Sequence, residues 1–257
     1  MRIKRLFDVL LSLNLVILIS PIIGIAAFFI YLQDLKSPFY VSDRVGLNNK
    51  IFKMIKLRSM ISGADSTGVD STSNNDIRIT LVGKFIRMLK IDELAQLFNV
   101  IKGDMSLVGP RPNVKRETDL YTMVEKQLLS VRPGITDFAS IVFADEGKIL
   151  DSKPDPDLSY NQLIRPIKSQ LGIFYVENRN FRIDLTILVL TLTSVLSRKM
   201  ALRLICHYLR KMNAPQSLIL QSSRQDPLVP MAPPGSDQIV ISRLKKENNE
   251  FQDRKYI

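Results

Sequence analysis

The sequence predicts a mainly helical α+β fold in which an N-terminal membrane helix precedes a small α/β domain with interfacial helices. Three observations predict it. Val9 to Leu32 runs for 24 residues without a charge. Pro38 to Met60 has the pattern of a β-hairpin, and much of the remaining chain spaces its apolar residues at helical intervals. The length, 257 residues, allows one domain of ordinary size with appendages.

The apolar run comes first. As a straight helix it would measure roughly 36 Å, enough to cross a hydrocarbon core of about 30 Å. It is too long for the apolar part of a signal peptide, and no small-x-small cleavage site follows it. Hydropathy alone fits a single-pass anchor. Two features instead fit a segment that dips in and returns to the same face. Ser20-Pro21 stands mid-run, and Pro21 has no N–H for the carbonyl of Ile17, so a kink or break is expected there. Basic residues also flank both ends: Arg2, Lys4 and Arg5 before the run, Lys36, Arg44, Lys50 and Lys53 after it. A spanning helix usually leaves one flank poor in such residues. This unit is assigned to residues 1–36.

In the hairpin, Phe39, Val41, Ile51, Phe52, Met54 and Ile55 are the apolar members, and the Gly46-Leu47-Asn48-Asn49 stretch is the turn. Residues 65–75, DSTGVDSTSNN, read as a mobile loop. Val82, Phe85, Ile86 and Leu89 are spaced for one helix face. Leu94, Leu97, Phe98 and Ile101 repeat the pattern in a helix expected to end at Gly103. Thr118 to Ser130 reads as a further helix before the Arg132-Pro133-Gly134 turn, and Asp151 to Asp157 as a polar break. Helical character resumes from Tyr160 to Asn178. Leu185 to Leu196, only 12 residues, is short for a span and fits a core or interfacial helix. Arg198 to Lys211 is a basic amphipathic stretch that suits either a packed helix or anionic lipid. Ala214 to Gly235 holds five prolines and reads as a flexible tail. The expected units are therefore 1–36, 37–200 and 201–257.

Lys+Arg 36 against Asp+Glu 25 gives a net charge of +11, which implies a polyanionic partner: nucleic acid, anionic lipid or a phosphorylated substrate. No aromatic-rich basic strand or recognition-helix pattern supports nucleic acid. One cysteine, Cys206, excludes an internal disulfide and a multi-cysteine zinc site. One histidine, His207, leaves too few soft ligands for zinc or non-haem iron. Any metal is expected to be a hard cation held by carboxylates, with Mg²⁺ first among them.

Lys90 to Pro112, KIDELAQLFNVIKGDMSLVGPRP, carries the most chemistry. Asp92 and Glu93 are neighbours, so on a regular helix their side chains diverge by about 100°. A bare Asp-Glu pair there reads as a helix cap plus a dipole-favoured acid. The company argues for more. Lys84, Arg87 and Lys90 precede the pair, Lys102 and Arg111 follow it, and Lys56 and Arg58 lie on the strand before it. A carboxylate that attacks phosphorus needs nearby cations to offset anion–anion repulsion. Arg111, between two prolines, offers a planar fork for phosphate oxygens.

Several pieces then occur in order: KRLFDVLLS with the later Ser20-Pro21, IFKMIKLRSM, DIRITLVGKFIRMLKIDELAQLFNVIKGDMSLVGPRP, VRPGIT and FYVENRNFRIDLTIL. Together they resemble the monotopic phosphoglycosyl transferases, bacterial sugar transferases also called polyprenyl-phosphate hexose-1-phosphate transferases, over about residues 3 to 200. The resemblance implies a re-entrant membrane helix broken at Ser20 and Pro21, followed by a small cytosolic α/β catalytic domain on the bacterial inner membrane. It implies that Asp92 attacks the β-phosphate of a UDP-sugar, releases UMP and holds a phosphosugar, which polyprenyl phosphate then takes. Glu93 would be its partner carboxylate, and Mg²⁺ is expected at Asp92 and Glu93. Lys56, Arg58, Arg87 and Arg111 match basic positions of the family motifs and become candidate phosphate contacts. Downstream glycosyltransferases are implied partners that would extend the glycan.

The chain departs from that pattern after VRPGIT. Many members continue with Gly-Trp-Ala-Gln and an Asn-Gly-Arg segment, whereas this chain runs from Asp137 to Glu146 as DFASIVFADE. The competing class is a membrane-anchored basic module that binds lipid without catalysis, in which Asp92 and Glu93 only cap a helix.

Overall fold

The computed structural model describes residues 2–64, 72–73, 76–151 and 153–241. Most of the expected mobile loop at 65–75 lies outside them. Helix α1, Arg2–Asp34, takes in the whole apolar run, and it is the one helix long and apolar enough to cross a membrane among the described residues. Of the expected kink or break, an interruption of the helix is absent: α1 runs on through Ser20 with Pro21 inside it. The Ser20 hydroxyl donates to the carbonyl of Ile17 at 2.9 Å, taking up the acceptor that Pro21 leaves unpaired.

Both ends of α1 are tied to the rest of the protein. Near its start, Lys4 pairs with Asp184 at 2.6 Å, Arg5 donates to the carbonyl of Ile101 at 3.1 Å, and buried Asp8 accepts from Ser106 at 2.7 Å. Near its end, Asp34 accepts two hydrogen bonds from Arg58, and Ile23, Ala26 and Ile30 pack with Leu57 and Ile86. The middle stands clear, with Ile17 and Leu18 each 73% exposed.

Strands β1 (Phe39–Val45) and β2 (Ile51–Leu57) form the expected antiparallel hairpin about a turn at Leu47–Asn49. Helix α2, Leu81–Met88, is capped by Thr80, whose hydroxyl accepts from the Gly83 N–H. Only part of its expected apolar face is used: Ile86 is buried against α1, whereas Phe85 and Leu89 are exposed. The chain then reverses at Lys90, in the left-handed region (φ 55°), into a 3-10 helix at Ile91–Gln96 that runs into α3, Leu97–Lys102. Gly103 (φ 103°) ends α3 as the sequence predicts.

Strands β3 (Ser106–Val108) and β4 (Gly134–Thr136) pair in parallel. Past β3, Gly109 and Gly134 touch backbone to backbone, and a Cβ on Gly134 would lie 2.1 Å from the Gly109 nitrogen. Only glycine allows this approach. It fixes the start of the turn that carries Arg111.

Thr118 to Ser130 is not one helix. A short α4, Lys115–Thr118, ends before Thr122, and a 3-10 helix occupies Glu125–Ser130. The cause is a reciprocal capping box. The Thr122 N–H donates to the Glu125 carboxylate at 3.0 Å, and the Glu125 N–H donates to the Thr122 hydroxyl at 3.1 Å. Glu125, fully buried, also accepts two hydrogen bonds from Arg165 and one from Ser169.

Three short helices, α5 (Phe138–Val142), α6 (Glu146–Leu150) and α7 (Pro156–Ser159), lead through a π-helical turn at Tyr160–Ile164 into α8, Arg165–Asn178. Helix α9, Phe181–Leu196, buries Ile183, Ile187 and Leu190 but exposes Leu185, Val189, Leu192, Val195 and Leu196. That two-faced apolar pattern fits the interfacial reading. Helix α10, Arg198–Lys211, packs through Ala201, Leu202, Ile205, Cys206 and Leu209.

The expected flexible tail is instead packed as far as Ile241. Helix α11, Gln216–Ser223, buries Leu218 and Ile219, and Leu228 and Met231 rest on the main core. Of the apolar residues between the prolines, Leu218, Ile219, Leu228 and Met231 are packed, whereas Leu220 and Val229 are exposed.

Removing the partner of a buried carboxylate tests the Glu125–Arg165 pair, whose side chains are 0% and 4% exposed. Arg165→Ala should lower unfolding free energy in detergent by about 3–5 kcal/mol. A loss below about 1 kcal/mol would mean that Glu125 finds another partner or water.

Candidate active site

The 3-10 helix places Asp92 and Glu93 in its first turn, and neither caps it: the cap position is Lys90, with no side-chain hydrogen bond. Asp92 is therefore not the cap, while both acids hold the first-turn position that the helix dipole favours. The two acids then differ sharply. Both Glu93 oxygens accept from Arg111, at 2.6 and 3.0 Å, and Arg111 also donates to the carbonyl of Ile135 on β4 at 3.1 Å. Such a planar fork fixes both partners. No hydrogen bond to the Asp92 carboxylate occurs among the described residues, and it faces a cleft of about 1920 Å³.

Asn99 holds this arrangement against the hairpin, a role the apolar spacing of α3 concealed. Its side chain accepts from the Ile55 N–H at 2.9 Å and donates to the Lys53 carbonyl at 2.7 Å. Lys56, next to Ile55 on β2, is thereby brought beside the acids. The detectable signal was a lone amide among Leu97, Phe98, Val100 and Ile101.

Electrostatics separate the roles further. Burial pushes the Asp92 carboxyl above the usual range, with Lys56, Arg87 and Arg111 opposing it and Glu93 adding to it. Burial also acts upward on Glu93, but Arg111 and Lys56 together outweigh it and bring Glu93 down to about 2. Lys56 is lowered chiefly by burial, against the attraction of Glu93 and Asp92. One acid is thus a fixed anion locked to an arginine, and the other is a free carboxylate in a cationic frame.

All six expected site residues, Lys56, Arg58, Arg87, Asp92, Glu93 and Arg111, line this one cleft. They do not all meet. Lys56, Arg87 and Arg111 act on Asp92, whereas Arg58 is committed to Asp34 at the end of α1, at 2.5 and 2.6 Å, and to Ser62. Lys102 lies with Asp104 at 3.2 Å.

A second wall of the cleft comes from the segment where the sequence departs from the family pattern. Asp137 caps α5, accepting from the Ser140 N–H at 2.6 Å. Glu146 pairs with Lys168, whose ammonium lies 5.3 Å from the centre of the Tyr160 ring, and Tyr121 accepts from the Asn113 amide at 2.7 Å. A third side is apolar: Leu15 and Ile19 of α1, and Leu188, Leu192 and Val195 of α9.

Among the described residues no cluster of three or more acidic, histidine or cysteine side chains is present to cage a metal. The residues do fit a hard cation that takes most of its ligands from substrate and water, the usual habit of Mg²⁺. Asp92 offers free oxygens for it, whereas both Glu93 oxygens are engaged by Arg111.

The family model described as "Bacterial sugar transferase" matches residues 1–198. The chain is 33% identical over 198 residues to a UDP-N-acetylgalactosamine-undecaprenyl-phosphate N-acetylgalactosaminephosphotransferase of Aeromonas hydrophila, covering 76% of this chain and 44% of that relative. It is 37% identical over 196 residues to the sugar transferase EpsL of Bacillus subtilis, covering 76% and 88%. With the UDP-glucose:undecaprenyl-phosphate glucose-1-phosphate transferase of Klebsiella pneumoniae it shares 39% identity over 141 residues, 54% of this chain and 30% of that protein. The chain thus spans less than half of the A. hydrophila relative but most of EpsL. With the match running from the membrane helix through the Asp92 turn to α9, the chain belongs to the bacterial sugar transferase family, the polyprenyl-phosphate sugar-1-phosphate transferases.

Proposed function

We propose that the protein transfers a sugar 1-phosphate from a UDP-sugar to undecaprenyl phosphate on the cytoplasmic face of the bacterial cell membrane, releasing UMP and starting a lipid-linked glycan. The observation that carries this reading is the composition of the cleft. One free carboxylate stands among Lys56, Arg87 and Arg111, and the same cleft is walled by apolar side chains of α1 and α9. A phosphate on a long apolar tail and a water-soluble diphosphate both need such a place. The names of the relatives, which specify undecaprenyl phosphate, agree with it.

In the proposed reaction an Asp92 oxygen attacks the β-phosphorus of the UDP-sugar. The bond from that phosphorus to the bridging oxygen breaks, and UMP leaves with the electron pair. Asp92 then carries the sugar phosphate as an acyl phosphate. A phosphate oxygen of undecaprenyl phosphate attacks the same phosphorus, the Asp92–phosphorus bond breaks, and the lipid diphosphate sugar departs. Lys56, Arg87 and Arg111 neutralise the incoming phosphates. Glu93 holds Arg111 in register and keeps the 3-10 turn fixed. Mg²⁺ at Asp92 and the diphosphate would supply further charge neutralisation at phosphorus.

The membrane helix is proposed to bend at Pro21 within one leaflet, so that both of its ends stay on the same face. Its support is that Lys4 near the start and Asp34 at the end both bond to the same domain, while exposure is high at Ile17 and Leu18 between them. A helix spanning the bilayer would carry one of those ends about 30 Å away from the domain face.

Detergent-extracted protein given Mg²⁺, undecaprenyl phosphate and a panel of UDP-hexoses and UDP-N-acetylhexosamines should release UMP with at least one donor. Asp92→Asn should lower that rate by at least about a thousandfold; normal turnover would identify another nucleophile. Glu93→Gln should cost about a hundredfold through loss of the Arg111 fork. EDTA should stop turnover and Mg²⁺ restore it. Cysteines introduced at positions 2 and 36 should be labelled from the same side of sealed membrane vesicles, and labelling from opposite sides would establish a spanning helix.

A further inference from the structure

The family match ends at residue 198, yet the chain folds on to Ile241. That added arm touches three stretches of the cleft wall. At the first, the Thr122 hydroxyl donates to the carbonyl of Pro234, and Gly235 lies against Val124 and Thr122. At the second, the Met231 N–H donates to the Gln162 carbonyl at 3.0 Å, and the Gln162 amide donates to the Val240 carbonyl at 2.8 Å. The third contact is Arg224, which closes α11 with its guanidinium 5.0 Å from the centre of the Phe143 ring and 3.5 Å from the Asp145 carboxylate.

Arg224 is an unexpected residue at that place. Its backbone is left-handed (φ 55°), a helix-terminal position where glycine is usual and any other residue is less favourable. Its side chain is 10% exposed, and its Nε and Nη1 have no hydrogen-bond partner. The ring and the carboxylate are what offset the burial of that charge. Arg198 supports the same carboxylate from α10, at 2.8 Å.

Each arm contact lies one or two residues from a side chain on the cleft. Thr122 adjoins Tyr121, Asp145 adjoins Glu146, and Gln162 is two residues from Tyr160. Glu146 and Tyr160 also meet through Lys168. From α11 onward the arm therefore rests against aromatic and hydrogen-bonding groups, while α10 before it packs on α9 and α5.

We infer that the C-terminal arm, through Arg224, positions the Phe138–Lys148 wall so that this wall grips the nucleotide sugar, making Arg224 a positioning residue for the donor. The inference rests on the transferase reading above. The Glu146–Lys168 pair with the Tyr160 ring beside it, and the Phe143 ring in the wall, suit a sugar and a nucleoside. Arg224 touches no cleft surface itself and acts only through Phe143 and Asp145.

The test compares wild type, Arg224→Ala and Arg224→Lys in the full chain. Arg224→Ala should raise KM for the UDP-sugar by about three- to tenfold. Its KM for undecaprenyl phosphate and its kcat should stay within about twofold, a change too small to implicate the chemical step. Arg224→Lys, which keeps a cation near Phe143 and Asp145, should recover most of the donor KM. Hydrogen exchange should quicken at residues 139–148 in Arg224→Ala but not at 91–102. Unchanged exchange at 139–148 overturns the brace. So does a donor KM within twofold of wild type, or an equal rise in both KM values. If the wild type releases no UMP from any donor, the transferase reading fails. The arm is then decided by calorimetry with UDP, which Arg224→Ala must bind more weakly than wild type.

Discussion

Glu93 and Arg111 meet through two parallel hydrogen bonds, and much of the site depends on that contact. It joins the 3-10 turn after α2 to the turn after β3, segments that share no strand pairing. The position of Arg111 is itself set by the close approach of Gly109 and Gly134 and by the Ile135 carbonyl. With Glu93 and Arg111 neutralising one another, the field left at Asp92 comes mainly from burial and from Lys56. Had Arg111 been shared between the two acids, each would hold it through one hydrogen bond and Asp92 would lose an open oxygen. The fork therefore fixes one acid and leaves both oxygens of the other open, though they are neighbours in sequence.

The membrane helix and the site are built on the same strands. Asp8 of α1 accepts from Ser106 at the start of β3, and Lys4 reaches both Asp184 of α9 and the carbonyl of Val108 at the end of β3. Tyr175 closes this group by donating to Asp184 at 2.6 Å. At the other end, Arg58 beyond β2 holds Asp34, while Lys56 on the same strand faces Asp92. A displacement of α1 would thus reach, through these bonds, two of the three elements that carry the cations of the site, β2 with Lys56 and β3 leading to Arg111. Arg58, expected among the phosphate contacts, is the clearest case of a cation used to position the membrane element.

Local signals were legible in the sequence wherever one residue type settles the backbone. The Gly46–Asn49 turn and the Gly103 stop both fold as their residues predict. Legibility failed where two local rules compete. Apolar spacing argued for one helix from Thr118 to Ser130, but the Thr122–Glu125 box starts a new turn inside it. Pro21 argued for a break, but Ser20 supplies the missing donor. Phe85 and Leu89 followed a core pattern yet face outward, which accords with the exposed apolar row on α9 if lipid is their solvent. The arm misled for a different reason. Five prolines between Ala214 and Gly235 lower the cost of ordering the chain, so a few buried side chains suffice to hold it.

The cleft has one cationic frame for two phosphorylated substrates, and this bears on the order of events in the proposed reaction. The donor brings a diphosphate and the acceptor a phosphate, and Lys56, Arg87 and Arg111 are the cations that act on Asp92. With Arg111 already paired to Glu93, two anions held together at close range would repel one another over the same cations. In the proposed reaction a covalent phosphosugar on Asp92 would relieve that repulsion. UMP would take its charge away before undecaprenyl phosphate arrives along the apolar side formed by α1 and α9. Each anion would then meet the same cations in turn, which is the physical case for a two-step exchange through Asp92.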